Sequence, residues 1–153
     1  MKTKYLFILL FGILFVACKQ KEKNLSDYMI GNWETTHIKI KMVTVNKTDS
    51  TSVFQDDFSK PNSGKAQSSY KKDGTFSAWF KQPNGEKVDE TNGKWKTKND
   101  SLFIDYFYLG KQVQAWYKIQ QIENGFKGTS IYDWDNDGKS DDTLIMTTKK
   151  IKL

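Results

Sequence analysis

The chain has 153 residues and a formal net charge of +6, from 24 basic and 18 acidic residues, and every basic residue is a lysine. Because specific nucleic-acid readers depend on the bidentate contacts of arginine, this composition argues against a nucleic-acid partner. The single cysteine excludes an internal disulfide. The Ser/His/Asp and Cys/His arrangements of nucleophilic catalysis need a histidine base, and the chain has only one histidine, His37. We therefore expect a protein that is not an enzyme.

The N-terminus, MKTKYLFILLFGILFVACKQ, predicts an export signal. Lys2 and Lys4 precede an apolar run from Tyr5 to Ala17, which is too short for a transmembrane helix of about 20 residues. The letters FVAC at its end resemble the lipobox of bacterial lipoproteins. That resemblance implies acylation of Cys18, with palmitate among the acyl chains, and an anchor in the cell envelope, where the outer membrane is favoured. A simple signal peptide with an incidental cysteine is the alternative.

These features divide the chain into residues 1–17 as signal peptide, 18–27 as a flexible charged tether, and 28–153 as one folded domain. One helical turn is predicted at LSDYMIG, near the start of the domain. Beyond it, alternating apolar residues predict strands, as in THIKIKMV and GTFSAWF. The strand SLFIDYFYLG is apolar on both faces, so we expect it to be covered on both sides. The polar stretch 46–64 predicts a short strand followed by a long surface loop.

Dipeptides of Asn or Asp with Gly separate the predicted strands. Such a dipeptide between alternating runs is a strong hairpin signal, because tight β-turns need residues that tolerate positive φ. Five of them within a short distance predict successive antiparallel strands. They are Asp73-Gly74, Asn84-Gly85, Asn92-Gly93, Asn124-Gly125 and Asp137-Gly138.

The pattern predicts an all-β domain, an up-and-down antiparallel β-barrel of about eight to nine strands after a short N-terminal helical turn. A barrel buries one face of every strand and leaves no open edge, although a β-sandwich is the competing architecture. The letters MIGNWE, with Gly31 and Trp33, resemble the Gly-x-Trp entrance of lipocalins. The resemblance implies a barrel whose bottom is closed by Trp33. Trp33 alternates out of phase with Ile38 and Ile40, which requires a bulge or a capping position.

The loop YDWDNDGKSDD predicts a calcium site. Counted from Asp133, side-chain oxygens recur at the first, third, fifth and ninth positions, with Gly138 sixth and the Lys139 carbonyl seventh. This is the spacing of calcium loops, and hard oxygen ligands without histidine or cysteine favour calcium over zinc. Leu144 stands where an EF-hand needs glutamate, so the loop is not an EF-hand. The predicted ligands are Asp133, Asp135, Asp137, Lys139 and Asp141, with Asp142 as a possible extra one; a hydrated turn is the alternative.

Aromatic residues make up 14% of the chain and suggest a binding cavity. A barrel of this size either fills with side chains or holds one small ligand. The predicted lining for an apolar or sugar-like ligand is Trp79, Trp95, Tyr106, Trp116 and Tyr117. Two alternatives stay open: a partner-binding lipoprotein with a filled barrel, and a hydrolase with two carboxylates facing each other.

Overall fold

The computed structural model describes residues 24–43, 50–108 and 110–152. The predictions of a signal peptide and of acylation at Cys18 fall outside these residues. Within the described residues, no helix has the length and apolar character needed to cross a membrane.

The described chain contains one short helix followed by nine strands. The helix, α1, spans Leu25–Met29. The strands are β1 Gly31–Val43, β2 Thr51–Asp56, β3 Lys65–Tyr70, β4 Thr75–Lys81, β5 Lys87–Lys98, β6 Ser101–Tyr108, β7 Lys111–Ile122, β8 Gly125–Tyr132 and β9 Asp142–Ile151.

The strands form a closed antiparallel barrel, which confirms the predicted fold. From β3 to β9 each strand pairs with the next, β1 pairs with β3, and β9 pairs back onto β1 to close the barrel. Eight strands therefore make the barrel. The ninth, β2, pairs only with the second half of β1, from Ile38 to Val43. It lies in the stretch predicted as a short strand before a loop.

A bulge in β1 explains the alternation of its side chains. The register between β1 and β9 shifts between Thr35 and His37. An extra residue at that point turns the strand by one position, which places Trp33 and the later Ile38 and Ile40 on the same interior face. Of the two predicted alternatives, a bulge or a capping position, the structure shows the bulge.

Helix α1 closes one end of the barrel. The side chain of Asn24 caps the helix by accepting a hydrogen bond from the backbone N–H of Ser26 (3.0 Å). Buried Trp33 donates its indole N–H to the carbonyl of Met29 (2.8 Å) and packs edge-on against Phe126, with ring centroids 4.9 Å apart. Residues 25–27, which the sequence analysis assigned to the tether, belong to this helix.

The prediction of a turn at Asn92-Gly93 is wrong. Both residues lie inside β5, where Gly93 pairs with Phe76 on one side and Tyr106 on the other. A Cβ atom at Gly93 would come within 2.2 Å of the Asp105 carbonyl oxygen. The glycine therefore serves the close approach of two strands, and the turn after β5 occurs at Asn99, whose φ is 54°.

The prediction that β6 is covered on both faces is also wrong. Leu102 and Ile104 point into the core and are buried. The opposite face carries Phe103, Asp105 and Phe107, and the Phe107 side chain is 57% exposed. An apolar run with two nonpolar faces has the same sequence whether its outer face is covered by another element or meets solvent.

Candidate ligand cavity and acidic loop

The interior of the barrel contains a cavity of about 290 Å³ that is partly open to solvent. It extends from Phe126, beside Trp33 at the closed end, to Tyr108 near the opposite end. Eighteen residues line it, and most are aromatic, aliphatic or hydroxyl-bearing. They are Thr35, Ala66, Gln67, Ser68, Tyr70, Phe76, Ala78, Trp79, Phe80, Asp89, Thr91, Ile104, Tyr106, Tyr108, Tyr117, Phe126, Met146 and Thr148.

The lining of the cavity contains no cationic side chain among the described residues, although the chain has 24 lysines. Its one charged member is Asp89, which lies on β5 and is exposed. A charged group that enters a low-dielectric cavity loses its hydration, and this loss must be offset by an opposite charge or by hydrogen bonds. Among the described residues, the lining of the cavity therefore offers no cation to a buried anion.

Three buried or largely buried tyrosines, Tyr70, Tyr106 and Tyr117, are among the hydroxyl-bearing residues of the lining. Burial raises the pKa of Tyr106 to about 12, and it also raises the pKa values of Tyr70 and Tyr117 well above the ordinary value. Tyr106 and Tyr117 share a side-chain hydrogen bond. All three therefore remain neutral at physiological pH and act as hydrogen-bonding groups within an aromatic wall.

A chain of polar contacts fixes the Trp79 side of the cavity. The Trp79 indole N–H donates to the side-chain oxygen of Gln67 (3.0 Å), and the Gln67 amide donates to Glu34 (2.8 Å). Lys149 completes the chain through an ion pair with Glu34 (3.0 Å). Partial burial raises the pKa of Glu34, but the hydrogen bonds from Gln67 and Lys149 outweigh it and hold the pKa below its usual value. Lys87 lies over the Trp79 ring, 3.7 Å from its centroid.

The structure brings together three of the five aromatic residues predicted for the cavity. Trp79, Tyr106 and Tyr117 line it. Trp95 is buried outside the lining and donates its indole N–H to the carbonyl of Lys71 (2.9 Å). Trp116 lies on the outer face of β7 and is 43% exposed.

Sequence reasoning missed several lining residues on β3 and β4. Tyr70 and Phe76 face each other across these strands, with ring centroids 5.1 Å apart, and Phe80 and Gln67 line the cavity nearby. The signal for Phe76 and Phe80 was their shared alternation phase in GTFSAWF. Gln67 carried no such signal, because a buried glutamine is recognised only from its partners.

The acidic loop between β8 and β9 gathers three carboxylates. One oxygen from each of Asp133, Asp135 and Asp142 lies within 4.8 Å of the others. Of the ligands predicted from spacing, Asp133 and Asp135 are in this cluster, whereas Asp137, Lys139 and Asp141 are not. Asp137 accepts a hydrogen bond from the backbone N–H of Lys139 (2.8 Å).

Asp142 fastens the loop to the barrel. Its side chain is fully buried, and one oxygen accepts the backbone N–H of Val43 on β1 (3.0 Å). The other accepts the backbone N–H groups of Trp134 (2.8 Å) and Asp135 (3.1 Å). Three backbone amide donors thus compensate the negative charge of this buried carboxylate.

Two other carboxylate oxygens of the cluster lack a donor among the described residues. Asp133 Oδ1 and Asp135 Oδ2 are buried, and no hydrogen-bond partner within the described residues reaches them. Loss of solvent raises the pKa of Asp135, and the neighbouring carboxylates of Asp142, Asp137 and Asp133 raise it further, against a backbone hydrogen bond from Asp137. A cation between these oxygens would remove both penalties.

Scans of protein-family models and of curated proteins found no match to this chain.

Proposed function

We propose that the protein is a lipid-anchored barrel of the bacterial cell envelope that binds one small, uncharged, largely apolar molecule containing a ring. The observation that carries the proposal is the cavity of about 290 Å³, walled by aromatic rings and neutral hydroxyls and without a cation among its described lining. A barrel filled by its own side chains, the main alternative, would leave no such space.

The size and the lining define the ligand. The volume of about 290 Å³ is roughly twice the ~150 Å³ of an engineered cavity that holds benzene, so two fused rings fit inside it. A third ring linked to them can lie toward the open part of the cavity, where the lining residue Asp89 is exposed. Aromatic walls favour a flat ring, and the hydroxyls of Tyr70, Tyr106 and Tyr117 suit one or two neutral polar groups on it. A fatty-acid carboxylate or a phosphate would meet no cation among the described residues that line the cavity, and Lys87, outside the lining, lies over the Trp79 ring.

Two fluorescent probes of nearly equal shape test this ligand class. N-phenyl-1-naphthylamine is neutral, whereas 8-anilino-1-naphthalenesulfonate adds a sulfonate to the same skeleton. We expect the neutral probe to bind with a stoichiometry of one and the anionic probe to bind at least about tenfold more weakly, which is about 1.4 kcal/mol. Equal binding of the two probes would contradict the assignment.

A pair of substitutions on β4 tests whether the probe enters the cavity. Ala78 lines the cavity, and the adjacent Ser77 lies on the opposite face of the same strand, where its hydroxyl contacts Asn92. Ala78→Trp should fill the space and abolish probe binding, while Ser77→Trp should leave it unchanged. Probe binding by a folded Ala78→Trp variant at the native affinity would show that the probe binds elsewhere.

The proposal of a lipid anchor is supported by the predicted export signal and by Cys18 at its end. We expect the native protein to incorporate labelled palmitate and to fractionate with membranes, and Cys18→Ser to be exported without label. Labelling that persists in the Cys18→Ser variant would refute acylation at this residue.

A calcium ion bound by the acidic loop is a second proposal, supported by the buried oxygens of Asp133 and Asp135 that have no donor in the described chain. Asp133, Asp135 and Asp142 would hold it. Calcium at 100 times its dissociation constant should stabilise the fold by about 2.7 kcal/mol and raise Tm by about 5 °C or more. The measurement is a thermal melt with calcium or with chelator.

Variants of the loop separate this cluster from the spacing-based ligand set. Asp135→Asn should abolish the calcium-dependent shift in Tm. Asp141→Asn should retain it, because Asp141 is exposed and outside the cluster. No shift of the native protein at millimolar calcium would reject the metal site, and a shift lost only in Asp141→Asn would favour the spacing-based ligands.

A further inference from the structure

The outer faces of β6 and β7 form a ladder of side chains that the cavity does not use. The outer ladder consists of Phe103, Asp105 and Phe107 on β6 and Gln112, Gln114 and Trp116 on β7. These residues are paired directly across the two strands, Phe103 with Trp116, Asp105 with Gln114, and Phe107 with Gln112. The ladder therefore has two rungs with aromatic rings and a polar rung between them.

The rung of Phe103 and Trp116 presents aromatic surface to solvent. The two ring centroids are 5.0 Å apart, and the Trp116 side chain is 43% exposed. Lys96 on β5 extends over the Phe103 ring, with its Nζ 5.0 Å from the centroid. Large aromatic side chains left in water at the centre of a sheet face mark surfaces that contact a partner.

The middle rung is a prearranged hydrogen-bonding group. The side-chain amide of Gln114 donates to one oxygen of Asp105 (3.0 Å), and the amide of Gln112 donates to the other. Each primary amide carries two N–H donors and an acceptor oxygen, so one bond to Asp105 leaves capacity for a ligand. The carboxylate thus orients two amides toward the same solvent-facing side.

Lysines give the surface beside the ladder a positive charge. Lys94, Lys96 and Lys98 alternate with buried Trp95 along β5 and are exposed. In register, Lys94 lies opposite Asp105, Lys96 opposite Phe103 and Lys98 opposite Ser101. Three cations in a row beside one carboxylate attract an extended anion.

We propose that the outer ladder binds a linear acidic polysaccharide. The C–H face of a sugar ring packs against exposed aromatic rings, its hydroxyls take bidentate bonds from amides and carboxylates, and its carboxylates pair with lysines. Phe103 and Phe107 are four residues apart, about 13 Å along a strand. That distance is longer than one sugar ring, so a ligand that contacts both side chains must be a chain of several sugars.

The same observations disfavour the other macromolecules. A stable protein interface buries about 800 Å² per partner around a largely apolar centre. Here a carboxylate and two amides separate Phe107 from the Phe103–Trp116 pair. Nucleic acid is disfavoured because the chain has no arginine for phosphate or base contacts.

Alginate, a linear polyuronate, is the probe, and neutral dextran is its matched control. Binding to the purified protein is measured by affinity electrophoresis and calorimetry in chelator, at low and high salt. We expect alginate to bind at least tenfold more tightly than dextran and to weaken as salt rises. Trp116→Ala should weaken alginate binding at least tenfold, and the double variant Lys94→Gln with Lys96→Gln should flatten its salt dependence.

Phe54→Ala on β2 is the control variant, because Phe54 is an aromatic residue of similar exposure, 49%, outside the ladder. It should bind alginate as the native protein does. Absence of alginate binding, or native binding by Trp116→Ala, would overturn the proposal. Single-stranded DNA that binds more tightly than alginate and is lost in the same variants would overturn it in favour of nucleic acid. Retained binding of N-phenyl-1-naphthylamine by Trp116→Ala keeps this test separate from that of the cavity.

Discussion

At the scale of single residues, the buried tyrosines link the cavity to alkaline stability. Tyr70 and Tyr117 have folded pKa values raised above the ordinary value near 10 by burial. Above pH 10 the unfolded chain loses protons that the folded chain keeps, so the unfolded state binds fewer protons and stability falls as pH rises. Each tyrosine contributes about 1.4 kcal/mol per pH unit in this range.

Replacement of Tyr117 by phenylalanine tests this linkage. Between pH 9 and pH 11, urea unfolding of Tyr117→Phe should show a loss of stability smaller than the native loss by about 1.4 kcal/mol in total, most of it above pH 10. Tyr108→Phe is the control, since the Tyr108 side chain is 46% exposed. A native slope in Tyr117→Phe would mean that this hydroxyl ionises in the folded protein as readily as in the unfolded one.

Asp142 makes a second prediction at this scale. Its buried carboxylate accepts three backbone N–H groups, and an amide in its place would turn one acceptor into a donor that faces donors. Asp142→Asn should therefore lower the free energy of unfolding by about 1–3 kcal/mol in chelator, as measured by urea denaturation. Exposed Asp141→Asn should change it by less than about 0.5 kcal/mol. Equal stability of the two variants would contradict a fastening role for Asp142.

At the scale of strands, alternation and turns predicted most of the barrel because both depend on local chemistry. Asp73-Gly74 and Asn124-Gly125 lie at hairpins since the chain must reverse there within a few residues. Asn92-Gly93 has the same letters inside β5, where the need for glycine comes from Asp105 on the neighbouring strand. Contacts between residues far apart in the sequence, such as the hydrogen bond from the Val43 N–H to Asp142, produce no local sequence pattern from which they could be predicted.

Two strand glycines with different neighbours give a prediction at this scale. A Cβ at Gly93 would meet backbone of β6 at 2.2 Å, whereas a Cβ at Gly128 on β8 would meet the end of the Met146 side chain at 3.1 Å. Because backbone cannot give way as a flexible side chain can, Gly93→Ala should cost about 1–3 kcal/mol or more. Gly128→Ala should cost clearly less. Urea denaturation measures both, and equal losses would show that β5 and β6 can separate without penalty.

At the scale of the whole molecule, the sequence predicted a closed shell but not its interior. The same alternation of apolar residues builds a filled barrel and a hollow one, and the volume depends on how side chains from all eight strands meet. Trp79, Tyr106 and Tyr117 meet at the cavity, whereas Trp116, with equal aromatic character, lies on the opposite face of its sheet. The alternation of side chains along each strand decides whether an aromatic residue faces the interior or the outside. The volume of the cavity then depends on how the interior side chains pack.

The acidic loop and the cavity meet through Trp134. This residue lies between Asp133 and Asp135, and its ring centroid is 6.5 Å from that of Tyr117, which lines the cavity. A calcium ion that fixes the loop should therefore also fix the aromatic side chains over this part of the cavity. Coupling between two such sites is reciprocal, because each ligand changes the affinity of the other by the same factor.

We therefore expect saturating N-phenyl-1-naphthylamine to raise the affinity of the protein for calcium by about fivefold or more, the lower range of coupling between sites. Calorimetric titration of calcium with and without the probe measures it. Trp134→Ala retains the three carboxylates and the cavity lining, so it should bind both ligands and lose the coupling. If the native protein binds calcium with the same affinity with and without the probe, the two sites are independent, and the contact between Trp134 and Tyr117 does not couple them.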